Sequence, residues 1–143
     1  MKLFMMKNLP MAFLAGLKVT EIDETKASVS VPYKCLNKNP FKSIYFAVLS
    51  MAAELATGIL AIAAIKDFSI PISMLVFEMK ASFQKKARTK ITFKCNEGEK
   101  MMAAISRSIE TGEGQTAEVT SIGYDTEGDV VAEFKFTWTF KPK

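Results

Sequence analysis

An α+β fold, with one antiparallel sheet wrapped around a single long helix, is what this sequence predicts. Three observations carry that expectation. Residues 43–65 run 23 positions with one charge, Glu54, and many helix formers. The stretches on either side alternate apolar and polar residues at the period of two that marks half-buried strands. The chain has 143 residues, enough to fill one core and short for two, so helix and strands are expected to share a single domain, residues 1–143.

In chain order, residues 2–16 read as a short helix interrupted by Pro10. Leu3, Phe4, Met6, Leu9, Phe13 and Leu14 are its apolar set, and Gly16 is its stop. Two strands follow, Leu17–Ile22 and Lys26–Tyr33, around the turn-forming Asp23-Glu24-Thr25. In the second, Val29, Val31 and Tyr33 alternate with Ser28, Ser30 and Pro32. Pro32 has no N–H to give to a ladder and belongs at an edge or a bulge. Residues 34–42 form a polar loop, with Asn39 biased to extended backbone by Pro40.

Ser43–Ile65 is long enough to cross a bilayer. A carboxylate at its midpoint costs roughly 2.5–3.5 kcal/mol on the insertion scale, and its flanks alternate as soluble strands do. No membrane span is therefore expected, and a helix this apolar must be buried on nearly every side. Its many small residues, among them Ala47, Ala52, Ala56, Gly58 and Ala61, let other backbone approach closely.

Beyond the helix, Met74–Gln84 alternates, with Leu75, Phe77, Met79, Ala81 and Phe83 assigned to one face. Lys85-Lys86-Ala87 is a turn, and Arg88–Cys95 points Ile91, Phe93 and Cys95 inward. Glu97–Ile109 reads as a short helix or an irregular strand. Gln115–Tyr124 and Asp129–Phe140 pair around Thr126-Glu127-Gly128, and the last strand sets Val130, Ala132, Phe134, Phe136, Trp138 and Phe140 against Glu133, Lys135, Thr137 and Thr139.

Composition narrows the chemistry. Histidine is absent, which excludes a Ser-His-Asp triad, a Cys-His dyad and any His-ligated metal. Acid–base work falls to carboxylates, lysines, tyrosines, cysteines or water. Cys35 and Cys95 are too few for a thiolate zinc site and read as small buried hydrophobes. Residues 1–16 lack the pattern of a secretory leader, so a cytoplasmic protein with reduced thiols is expected. Net charge is +4, with 15 basic and 8 acidic residues in 1–100 against 4 and 7 in 101–143. That basic excess suits a phosphate-bearing partner. Nucleic acid is not expected, because there is no arginine run and no aromatic-interleaved basic motif.

Asn37-Lys38-Asn39-Pro40-Phe41, then Ser43-Ile44-Tyr45-Phe46-Ala47, then Ala53-Glu54-Leu55-Ala56-Thr57-Gly58 resemble the core of the hotdog-fold acyl-CoA thioesterases and dehydratases. The closest likeness is to thioesterases of the phenylacetate-degradation type and a poorly characterised sister group. Ser82–Arg88 and the closing hairpin with Asp125, Gly128 and Thr137-Trp138-Thr139 extend the likeness over nearly the whole chain. The family's helix opens with His or Asn and two glycines, whose amides polarise the thioester carbonyl. An acid follows further along. Glu54 falls on the acidic position, whereas Tyr45, Phe46 and Ala47 stand where His-Gly-Gly is usual. The resemblance implies hydrolysis of a thioester of coenzyme A or a carrier protein, with no cofactor and no metal. It also implies a homodimer or homotetramer formed by edge-to-edge pairing of sheets, with the acyl site at the interface.

On that reading Glu54 is the catalytic residue, either activating water or attacking the carbonyl itself. Ser50 and Thr57 share its helical stripe and join Asn39, Tyr45, Phe46 and Ala47 as substrate-binding candidates. The blander alternative makes Glu54 a structural carboxylate held by Ser50, Thr57 or a neighbouring subunit's lysine. Lys85, Lys86 and Arg88 hold coenzyme A phosphates, or they are a solvated hairpin tip. Asn37 and Asn39 position substrate, or they satisfy their own loop. The rival function is a non-catalytic acyl-CoA or lipid-binding module. A dehydratase is disfavoured by the missing histidine.

Overall fold

A computed structural model describes residues 1–143. The elements are α1 (Lys2–Asn8), α2 (Pro10–Ala15), β1 (Lys18–Ile22), β2 (Ala27–Val31), α3 (Phe46–Ile65), β3 (Ile72–Phe83), β4 (Ile91–Cys95), α4 (Gly98–Thr111), β5 (Gln115–Tyr124) and β6 (Val130–Pro142). Six strands form one antiparallel sheet in the order β1-β2-β4-β5-β6-β3. The sheet curls around α3, which lies against β2, β4, β5 and β6.

The expected long helix is present and buried as expected. Leu49, Ala52, Ala53, Ala56, Leu60 and Ala61 leave almost no surface. By length and hydropathy α3 qualifies as a membrane span, but here it is the centre of the fold. Its small residues explain how a sheet closes round it: alanine and glycine let strands approach near contact distance. The other side of the core is aromatic, with Phe93, Phe134, Phe136 and Phe140 fully enclosed as the β6 alternation predicts. Glu97–Ile109, open between helix and strand in the sequence, is the helix α4, packed on α3, β5 and β6.

Several expectations change. Cys95 is buried as expected but Cys35 is exposed, and at the start of β6 Val131 is buried while Val130 is exposed. In β3 the alternation assigned Leu75, Phe77, Met79, Ala81 and Phe83 to one face. A register shift between Val76 and Glu78 leaves Phe77 without a cross-strand partner. One extra residue reverses every side chain on one side of it. Met79, Ala81 and Phe83 therefore pair opposite the inward Phe136, Phe134 and Ala132, whereas Leu75 pairs with Thr139 on the opposite face. Leu75 and Phe77 stand 64% and 68% exposed on a strand whose outer edge has no partner.

The N-terminal segment also departs from its reading. Pro10 does not merely interrupt one helix; it starts a second, at a first-turn position where its missing N–H is no loss. The face that α1 and α2 bury is Met5, Ala12 and Ala15, not the large apolar set, which is exposed. Gly16 ends α2 in the left-handed conformation.

Candidate functional site

The start of α3 is shaped by the loop before it. Asn37 is buried, and its amide donates to the Ala15 and Pro32 carbonyls at 2.9 Å each. Its own carbonyl accepts from the Tyr45 N–H at 2.8 Å. One residue thus locks the end of α2 and the end of β2 through its side chain and the entry to α3 through its backbone. Asn39 organises the next turn, its Oδ1 accepting from the Phe41 N–H and from the Ser43 N–H and hydroxyl. Lys42, at φ 60, sits in the left-handed region, and Tyr33 Oη holds its carbonyl at 2.7 Å. Both asparagines therefore serve the loop through these bonds, as loop asparagines commonly do.

No side chain caps α3. The amides of Phe46 and Ala47 have no acceptor in the chain, whereas Val48 and Leu49 both bond to the Tyr45 carbonyl. Free N–H groups at a helix start carry the positive end of the dipole and suit a developing oxyanion. This end of α3 opens on a cavity of about 570 Å³. Asn39, Phe41, Tyr45 and Phe46 form one wall, and Phe83, Lys85 and Lys86 form another. Tyr45 and Phe46 pack edge to face at 5.1 Å. Five of the residues proposed from sequence, Asn39, Tyr45, Phe46, Lys85 and Lys86, are brought together here; Ala47 is the next residue of the helix.

The basic turn divides. Lys85 is engaged by the β5–β6 turn, its Nζ 2.6 Å from Asp125, 2.8 Å from Asp129 and 3.7 Å from Glu127. Hydrogen bonds to Asp125 and Asp129 hold its pKa above the usual lysine value. Lys86 and Arg88 are exposed and have no carboxylate partner.

Glu54 does not meet this cavity. Eight residues of helix separate it from Phe46, roughly 12 Å along the axis at 1.5 Å per residue. It lies at a second, smaller hollow of about 220 Å³, bounded by Leu9, Pro10 and Met11 of the α1–α2 junction and by Met51 and Leu55. Its carboxylate has no hydrogen-bond or ion-pair partner in the chain, and burial pushes its pKa above the ordinary carboxylate value. Gly58, one turn on, gives it room: a methyl there would sit 3.3 Å from Glu54 Oε1 and 3.4 Å from the Trp138 ring.

Ser50 and Thr57 are not partners of that carboxylate. The Ser50 hydroxyl donates to the Phe46 carbonyl at 2.9 Å. Thr57 donates to the Glu54 carbonyl and accepts from Trp138 Nε1, both at 2.9 Å. The sequence pattern marks Phe83 as a core residue or a pocket wall, and it lines the cavity; Phe41 as a wall and Asn8 to Ala12 as the cover of Glu54 carry no such mark. The cavity roles follow from chain folding between distant segments, for which local spacing carries no signal.

Residues 1–140 match the family described as a domain of unknown function, DUF4442. The chain belongs to that family. No curated protein matches this sequence. Among solved structures, a Pseudomonas aeruginosa protein of unknown function, described as a probable thioesterase, superposes with a TM-score of 0.83 at 20% identity, covering 99% of this chain and 94% of that one. A Chlorobaculum tepidum protein of unknown function superposes at 0.85 and 16% identity, covering 99% and 92%. A Haemophilus influenzae thioesterase superposes at 0.72 and 13% identity, covering 98% and 88%. The DUF4442 chain shares their fold, the hotdog fold.

Proposed function

We propose that this DUF4442 protein is a thioester hydrolase acting on acyl groups carried by coenzyme A or by a carrier protein. Among hotdog thioesterases it stands nearest the phenylacetate-degradation type, on the acidic position that Glu54 occupies. The observation that carries the reading is α3 itself. One helix offers free amides in a cavity at its start and a desolvated, partnerless carboxylate two turns on. Neighbours of the same fold, one described as a probable thioesterase and one as a thioesterase, support it.

Within one chain the two halves stand about 12 Å apart, too far to act on one carbonyl. A second copy completes the site, bringing its own Glu54 to the first chain's helix start. The unpaired, apolar edge of β3 is the surface on which that copy adds its sheet. The thioester carbonyl accepts from the Phe46 and Ala47 amides. Glu54 takes a proton from water as the oxygen adds to the carbonyl carbon. The C–S bond then breaks, the thiolate takes up the proton, and an acid and a free thiol leave. Water activation is favoured over direct attack, because a carboxylate with a raised pKa is the better base.

Lys86, which lines the cavity, and Arg88, which shares a neighbouring hollow with it, take the nucleotide phosphates of coenzyme A. Lys85 supports them by fixing the turn, its charge already matched by Asp125 and Asp129. No cofactor or metal enters, and the reaction belongs in the cytoplasm, where acyl-CoA is made and used.

A free-thiol release assay across short, medium, long and aromatic acyl-CoAs tests the proposal. Turnover of at least one class above the uncatalysed rate is the expected result. Saturable acyl-CoA binding with no thiol released would mean a non-catalytic binding module instead.

A further inference from the structure

We propose that the N-terminal segment, residues 1–14, is a docking surface for anionic membranes. Leu3, Phe4, Met6, Met11, Phe13 and Leu14 all stand exposed, Leu3 at 74%. They crowd into two short helices whose buried contacts are the small set Met5, Ala12 and Ala15. Scattered apolar residues on a surface are ordinary, but a run of large ones over 14 positions marks an interaction site.

The occupant is argued from charge. Lys2, Lys7 and Lys18 are exposed, and residues 1–20 contain no Asp or Glu. Lys34 adds a fourth cation at the segment's end, its Nζ donating to the Leu14 carbonyl at 2.8 Å. Short helices with large apolar side chains and lysines among them are the composition of segments that lie in the headgroup layer. Anionic lipid supplies the opposite charge that residues 1–20 do not.

A second copy fits less well. A two-fold contact of this patch with itself would set Lys2 and Lys7 against their own equivalents, with no Asp or Glu in residues 1–20 to offset them. The segment also feeds β1, at the opposite end of the sheet from the β3 edge proposed for pairing.

The positions that test the docking surface, Lys2, Leu3, Lys7 and Leu14, lie outside the hollow that holds Glu54. The surface is tested with the full chain floated with vesicles of phosphatidylcholine, alone or mixed with phosphatidylglycerol, over a range of salt. The expected result is binding to the mixed vesicles that weakens with salt, and little to phosphatidylcholine alone. At roughly fivefold per lysine near an anionic surface, Lys2→Gln with Lys7→Gln lowers affinity roughly 25-fold. Leu3→Ser with Leu14→Ser, both exposed, abolishes binding while circular dichroism and melting temperature stay unchanged. Absence of binding by the folded wild type to mixed vesicles overturns the proposal. So does an apolar-patch variant that binds as before, or one whose only effect is to dissociate an oligomer seen by light scattering.

Discussion

Trp138 reaches across the core to Thr57, its indole N–H donating to the threonine hydroxyl at 2.9 Å with both groups buried. The last strand is thereby tied to the turn of α3 that carries Glu54, whose carbonyl takes the threonine's own proton. Thr57→Val keeps the shape and removes the acceptor, leaving a buried N–H unsatisfied. It lowers stability by about 1–3 kcal/mol, and Thr57→Ser by less. Thermal melting of the two variants beside the wild type checks this. A Val variant that melts normally but loses turnover would instead put the hydroxyl on the substrate.

Glu54 and Asp125 move stability in opposite directions with pH. Burial raises Glu54 above 4.5, so folding favours its protonated form. Its contribution is whole below 4.5 and is lost as pH rises through the raised value. Asp125, held below 3.8 first by its hydrogen bond to Lys85, contributes above that value and loses its contribution as pH falls further. The melting temperature of Glu54→Gln minus that of wild type is therefore expected to grow as pH rises from 4.5. A difference that shrinks over that range would mean that the ionised carboxylate has a partner.

Much of this fold is legible in the sequence, and the exceptions have physical causes. The central helix announces itself because only burial on all sides tolerates so apolar a run. The β6 alternation from Phe134 to Phe140 survives because that strand is covered throughout. The bulge at Phe77 leaves no trace in the alternation, since Leu75 and Phe83 are equally apolar on either side of it. In the N-terminal segment the large residues outweighed the small, yet Ala12 and Ala15 face inward beside Met5. At the site, Glu54 and the helix start were legible as residue types. Their separation of about 12 Å along one helix was legible too, from the rise per residue. On the proposed reading a second chain closes that gap; the family resemblance implied this, and local spacing did not.

Lys86 lines the cavity, Arg88 shares a neighbouring hollow with it, and neither has a carboxylate partner, so replacing both with alanine tests the nucleotide contact. Exposed charge pairs contribute about 0.2–1 kcal/mol each, which puts the combined rise in KM for acyl-CoA at roughly two- to thirtyfold. A small thioester without a nucleotide should be hydrolysed as before. Equal loss on both substrates would point to a damaged fold.

Phe77 stands on the open edge of β3 at the bulge. Light scattering of the wild type is expected to give a mass at least twice the 15.8 kDa of the chain. Phe77→Asp sets like charges opposite one another in the paired edge and shifts the protein towards monomer, with turnover falling alongside. A stable wild-type monomer would leave Glu54 and the helix start unjoined.

The most direct test of the account is the turnover of Glu54→Gln on an acyl-CoA that the wild type hydrolyses, with melting temperature measured on the same preparation. Glutamine keeps the shape and takes no proton from water. The account predicts a folded, assembled protein that binds acyl-CoA, melts no lower than wild type and turns over roughly 10²-fold or more slowly. Undiminished turnover in a well-folded Glu54→Gln protein would contradict it.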